Sequence, residues 1–279
     1  MAKLITTDEQ LRSHLPNIIA SVKGEVPFIE RLALFLDLAE AWVTDTFVSV
    51  PTFNTICSYT DSNPVKILTA RLVVADALRR AIPSLDIVLT PNGFGVVNTS
   101  NLAPASKPRV DRLVDSMLAH RDDCIVALLP LLATIGGWCD SQQGEFFGAT
   151  LFPDLDICDA LAVADCSRWQ KYLELRSQVI GLETSLAEEW FSPELMSALR
   201  SEALRGVLTG KRKEIVRQVK AQVVEYLRKG SFSPRLLADL VNSIRLNEND
   251  FLEWHGSKTA QLFVPPVFRN KKEARGYFF

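Results

Sequence analysis

Long apolar runs are what this 279-residue chain most plainly lacks. No stretch reaches the length that spans a bilayer, and no charged-apolar-small signal opens the N-terminus, so the sequence reads as soluble and unexported. Histidine is scarce. His14, His120 and His255 stand far apart without ligand spacing, and each reads as a surface or helix-end residue rather than a metal ligand. The five cysteines (Cys57, Cys124, Cys139, Cys158, Cys166) form no CxxC pair. Such an odd, scattered set among apolar neighbours reads as reduced core thiols in a cytoplasmic setting. Nothing in the pattern groups an acid, a base and a nucleophile, so no enzyme, cofactor or metal is expected.

Three segments approach a known site pattern and miss. Gly93-Phe94-Gly95 follows a short β-branched run, but Asn98 stands at the third glycine position and no helix opens there. Gly206-Val207-Leu208-Thr209-Gly210-Lys211 is one residue short of a P-loop, and Arg212 stands where Ser or Thr would hold magnesium. It reads as a turn between two helices. Asp154-x-Asp156 resembles half of a cation loop without the later glycine and glutamate, so both aspartates read as helix-capping carboxylates.

What is present is helical periodicity, supported by a 47% hydrophobic content that can fill a sizeable core. Thr6-Thr7-Asp8 caps a short helix ending near Leu15. Phe28 to Phe47 carries an apolar stripe wide enough for cover on more than one side. Asn63-Pro64 starts a helix with Val65, Leu68, Leu72, Ala75 and Leu78 inward. Ser106 is placed to cap the next helix. Ile125 to Ile135 is apolar, and Pro130 should kink or end it. Helices are expected over about Cys166–Phe191, Lys211–Arg228, Ser233–Leu246 and Asp250–Phe263.

The periodicity breaks between Leu85 and Asn98. Asp86-Ile87-Val88-Leu89, the turn Pro91-Asn92-Gly93 and Phe94-Gly95-Val96-Val97 read as a β-hairpin at 85–98, standing out of the helical body with an aromatic tip. Periodicity is also lost over the glycine-rich stretch Gly136-Gly137 to Gly148, which suggests a junction. The second half looks like a faint copy of the first. Leu186-Ala187-Glu188-Glu189-Trp190 echoes Leu38-Ala39-Glu40-Ala41-Trp42, and Lys211–Arg228 corresponds to the helix after Asn63. Chance similarity between amphipathic helices competes with a true duplication here. The expected fold is therefore mainly α: two helical-bundle modules, 1–140 and 141–279, with a degenerate duplication in view and one protruding β-hairpin.

Charge is uneven although the net is −2. Residues 1–120 carry net −1, residues 121–204 net −9 and residues 205–279 net +8. These blocks are either solvated faces or complementary surfaces between copies of the chain, as in a head-to-tail ring. Lys211-Arg212-Lys213 opens a helix, which opposes the helix dipole and hints at an acidic partner. The last residues are basic and then aromatic: Lys271 and Lys272, followed by Tyr277, Phe278 and Phe279. Three aromatics at the end of the sequence suit docking on a neighbouring surface.

Leu4-Ile5-Thr6-Thr7-Asp8-Glu9, the helix containing Ala39-Glu40-Ala41-Trp42, and the helix after Asn63-Pro64 together resemble the head–tail connector (adaptor) proteins of tailed phages. The Thr90–Val97 turn, Pro104-Ala105-Ser106, Asn270-Lys271-Lys272 and Tyr277-Phe278-Phe279 resemble an uncharacterised family of phages and prophages of gut bacteria. The connector resemblance spans residues 4–120 and implies a small helical protein forming a ring under the portal, without catalytic residues. It implies a virion component, present in the bacterial cytoplasm during assembly, whose partners are sister copies, the portal and tail proteins. No membrane partner follows from it, and DNA enters only as cargo passing through a channel. The surfaces expected to make contact are Asn92, Gly93 and Phe94, then Lys211, Arg212 and Lys213, then the C-terminal Lys271, Lys272, Tyr277, Phe278 and Phe279. The competing reading is a cellular helical adaptor or regulator that binds an acidic partner through the Lys211–Arg228 surface.

Overall fold

The computed structural model describes residues 3–15, 26–85, 87–90, 93–96, 106–162 and 167–264, and it is mainly helical. The chain divides into two compact units. Unit 1 comprises 1–177 with 203–207, and unit 2 comprises 178–202 with 208–279. The division falls later than the glycine-rich stretch at 136–148, whose residues build the core of unit 1 instead.

Unit 1 contains α1 (Asp8–Ser13), α2 (Phe28–Val43), α3 (Val50–Ser58), α4 (Pro64–Ala81), α5 (Lys107–Leu132), α6 (Gln142–Gly148), α7 (Asp156–Ala160) and the first half of α8 (Arg168–Leu186). Local signals explain most boundaries. The Thr7 side chain accepts from Gln10 N, and the Asn63 side chain from Val65 N and Lys66 N, which caps α1 and α4. Pro130 does not end α5, which runs straight through it as one 26-residue helix. Ser106 holds the cap position of α5 without a side-chain bond, and Leu155 rather than Asp154 precedes α7, with Asp156 in its first turn. Ile87–Thr90 (β1) and Gly93–Val96 (β2) pair antiparallel, Ile87 opposite Val96 and Thr90 opposite Gly93. A hairpin protruding from the body is not supported beyond that pairing, because Pro91, Asn92 and residues 97–105 lie outside the described residues.

Unit 2 contains the second half of α8, most of α9 (Pro193–Arg205), α10 (Gly210–Lys229), α11 (Pro234–Leu246), α12 (Leu252–His255) and α13 (Lys258–Leu262). The last two replace the single helix expected over 250–263, because Gly256 and Ser257 interrupt it.

Each unit is built round the same device. In unit 1, α2 runs into a π-helical turn, Thr44–Val48, and then to Ser49 at φ 74°. In unit 2, α8 runs into a π-helical turn, Ala187–Phe191, and then to Ser192 at φ 67°. Both serines turn the chain sharply and cap the next helix: Ser49 Oγ accepts from Thr52 N, and Ser192 Oγ from Leu195 N. Prolines follow in the first turn, Pro51 and Pro193. A π-turn shifts the backbone ladder by one residue, as in the Ser49 N to Thr44 O bond, and leaves carbonyls needing donors. Trp138 Nε1 donates to Phe47 O at 2.7 Å, and Gln143 Nε2 to Asp45 O at 2.9 Å. In unit 2, Trp254 Nε1 donates to Trp190 O at 2.9 Å, and Thr259 Oγ1 to Glu188 O at 3.4 Å.

The donors come from matching short segments. Trp138 stands three residues before Ser141, which caps α6, and Trp254 three before Ser257, which caps α13. Each serine hydroxyl also donates to the tryptophan carbonyl at 2.6 Å. Ring contacts match as well: Phe47 lies 6.0 Å from Phe147, and Trp190 lies 5.8 Å from Phe263. The two turns also differ in how closely the chain approaches the tryptophan carbonyl. A Cβ on Gly144 would come within 2.3 Å of Trp138 O, whereas Ala260 holds that position in unit 2.

Trp138→Phe removes the indole donor and leaves the Phe47 carbonyl buried without it. Unit 1 is expected to lose about 2–3 kcal/mol, measured by urea unfolding, and Trp254→Phe is expected to act on unit 2 in the same way. Unchanged unfolding midpoints in both variants would show that the latch contributes nothing.

Candidate functional site

The outer face of α2 presents an apolar surface. Leu32, Leu36, Ala39 and Val43 are buried at helical spacing. Leu34 and Leu38, on the opposite side, are 66% and 47% exposed. The width of the stripe leads one to expect cover on both sides, and among the described residues only one side has it.

One turn beyond Leu38 stands Trp42, half-buried, at the mouth of a cleft of about 370 Å³. Its apolar walls are Trp42, Phe146, Trp169 and the exposed Leu173, with Asp45, Thr46, Gln142 and Gln143 as polar lining. The aromatic walls belong to a stack that includes Phe47, Phe147 and Tyr172, with Trp169 4.7 Å from Phe47. Arg176 lies 3.9 Å over the Phe146 ring and donates to the Phe146 carbonyl at 2.9 Å.

A buried charge network fixes these walls from behind. Asp76 on α4 is fully buried and accepts from Arg79 at 3.0 Å and Arg80 at 2.5 Å. Arg121 on α5 reaches Asp76 at 3.6 Å, bonds Asp122 at 2.9 Å and lies 5.4 Å from the Trp42 ring. Ser167, ahead of α8, accepts from Arg121 and donates to Asp122, both at 2.8 Å. Charges buried this way need such mutual satisfaction, and the arrangement pins α4, α5 and the start of α8 to Trp42. Burial pushes the Cys124 thiol on α5 up to about 11, the behaviour of an inert core cysteine. Chemically, the stripe and cleft offer rigid aromatic area with a few amides and one exposed carboxylate, which suits docking of an apolar segment.

The residues singled out from sequence fall elsewhere. Asn92, Lys271, Lys272, Tyr277, Phe278 and Phe279 lie outside the described residues, and Gly93 and Phe94 are described only as backbone of β2. Lys211 pairs with Glu214 at 3.1 Å, and Lys213 is exposed. Arg212 finds its acidic partners in its own unit. It bonds Glu202 at 2.8 Å, both oxygens of Glu253 at 3.1 Å and the Asp250 carbonyl at 2.8 Å. Burial works to raise the Glu253 carboxyl pKa, and the Arg212 bonds outweigh it and hold it below the usual range. The cleft residues Phe146, Trp169 and Leu173 went unnoticed in sequence. The signal available was the over-wide stripe of α2, whose surplus leucines point to a contact.

Residues 27–148 match a family of unknown function (DUF6712). The match runs from the start of α2 to the end of α6, and so takes in Leu34, Leu38, Trp42 and Phe146 but stops before Trp169. Neither a curated protein nor a solved structure matches the chain. Among the described residues, no helix is long and apolar enough to cross a membrane, and no three His, Cys, Asp or Glu side chains group as a metal site.

Arg212→Met strands two partly buried carboxylates and should cost unit 2 about 1–2 kcal/mol at neutral pH, allowing for the part exposure of Glu253. A depressed carboxyl contributes stability above its unfolded pKa and loses it as pH falls through the folded value. The gap between wild type and variant in urea midpoints should therefore narrow below about pH 4.5. A gap that stays constant into acid would contradict the Arg212–Glu253 assignment.

Proposed function

We propose that this chain is a structural subunit of a phage head–tail connector or neck, acting as a ring of identical copies between portal and tail and making no chemical change. The observation that carries this reading is the exposed Leu34–Leu38 face of α2, which lies within the family-matched segment and runs toward the Trp42 cleft. Two large aliphatic side chains one turn apart cost free energy in water and gain it at a contact. The resemblance of residues 4–120 to connectors supplies the kind of contact: repeated copies round a portal, in the virion. The Arg212 pairing weighs against the rival reading of an adaptor for acidic partners.

In the same proposal the fold is a tandem duplication of one helical module. Ser49 and Ser192 are 143 residues apart, and at that spacing Leu32, Leu36, Ala39, Val43, Phe47, Val48, Phe53 and Ile56 meet Leu175, Val179, Leu182, Leu186, Trp190, Phe191, Met196 and Leu199. Apart from the half-buried Leu175 and Trp190, both sets are buried. Such agreement at the inward positions, with four identities over 28–58, is what divergence from one module leaves behind.

Native mass spectrometry and electron microscopy of the purified protein, alone and with a tailed-phage portal protein, test the role. A closed ring, free or seated on the portal, is expected. A monomer that also ignores the portal overturns it.

A further inference from the structure

The two latches share a register that runs past their last helix. At a spacing of 116 residues Trp138, Ser141 and Phe147 meet Trp254, Ser257 and Phe263. Bonds match along with residues: each indole donates to a π-turn carbonyl, and each serine caps the short helix that follows. Carried further, the same spacing sets Leu151-Phe152 against Val267-Phe268. Leu151 and Phe152 are buried in unit 1. The Phe152 carbonyl accepts from Tyr172 Oη at 3.2 Å, and the Tyr172 ring lies 6.3 Å from that of Phe147. In unit 2 the corresponding corner is open, with Phe263 half-exposed, Leu262 74% exposed and Val264 61%.

Residues 265–279 follow this corner directly and lie outside the described residues. We infer that this segment covers its own unit 2, with Val267 and Phe268 taking the places that Leu151 and Phe152 hold in unit 1 and with its basic residues set on the Glu188-Glu189 turn. Reach selects the occupant. Three residues of extended chain span at most about 11 Å, so Val267 stays in the neighbourhood of Val264 of the same chain. Apolar burial drives the contact, because Val267 and Phe268 leave water together with the exposed Leu262 and Val264. Charge agrees with it. The exposed charges on the π-turn and the first turn of α13 are Glu188, Glu189 and Lys258, net acidic, whereas the segment carries Arg269, Lys271, Lys272 and Arg275 against one acid, Glu273. Pro265-Pro266 make a stiff link with no backbone N–H to satisfy. Trp169, which covers Phe47 in unit 1, has no counterpart in the segment at this spacing, so Trp190 keeps its exposed edge. The inference stands apart from the ring reading, and a partner that takes this corner must first displace the segment.

Hydrogen exchange of the full chain, read by mass spectrometry, tests it. The amides of Val267 and Phe268 should exchange at least about tenfold more slowly than unstructured chain. F268D should abolish that protection and speed exchange in α13, whereas F278D, in the same segment but outside the register, should leave both as in wild type. K271E/K272E and E188K/E189K should each weaken the protection, and the two pairs combined should restore it. Exchange of Val267 and Phe268 at unstructured rates overturns the inference. Equal effects of F268D and F278D overturn the register, and failure of the combined charge reversal to restore protection overturns the pairing with Glu188 and Glu189. Protection that disappears on dilution makes the contact one between copies, which overturns the assignment to the segment's own unit.

Discussion

A π-helical turn leaves carbonyl groups that the helix itself does not satisfy, and the architecture of this chain follows from how those groups are met. The carbonyls of Phe47 and Trp190 each accept an indole N–H, from Trp138 and Trp254. An indole is large, flat and offers one donor, so a single residue fills volume and satisfies the backbone together. The serine three residues later fixes where the indole can reach, by capping a short helix whose aromatic end packs back on the π-turn. Long helix, π-turn, positive-φ serine and latch tryptophan therefore form one unit of construction, and removing any member strands another.

The two devices differ at the surface. In unit 1 the aromatic stack is closed by Trp169, Tyr172 and Arg176. In unit 2, Trp190 and Phe263 stay half-exposed. Buried charge plays a supporting part. Asp76, Arg121, Asp122 and Ser167 hold Trp42 where the apolar stripe of α2 meets the cleft. Arg212 with Glu202 and Glu253 does comparable work inside unit 2.

Much of the helical layout was legible because it rests on local chemistry. Asn63-Pro64 and Ser233-Pro234 mark helix starts, and Asn63 caps through its side chain. The likeness between the two halves was legible only as a hint, and in another register. The Leu38–Trp42 and Leu186–Trp190 boxes are 148 residues apart, whereas the π-turns are 143 apart, so the boxes occupy different places in the device. A π-turn has no strong sequence signature, so the 143-residue correspondence of the two turns does not show in the apolar pattern. Gly136–Gly148 lies inside unit 1 for a local reason. Its glycines imitate a linker, while Gly144 is there because the chain comes too close to the Trp138 carbonyl for a side chain. Within the basic run, Arg212 turns to Glu202 and Glu253, which sequence does not place beside it, while Lys211 and Lys213 stay exposed.

Hydroxyl-radical footprinting of the five tryptophans, read by mass spectrometry in dispersed and assembled protein, tests the central claim most directly. Trp138 and Trp254 should resist oxidation in both states, since both indoles are buried against their π-turns. Trp190, half-exposed, should be oxidised in the dispersed protein. Ready oxidation of Trp138 or Trp254 in either state would contradict the account.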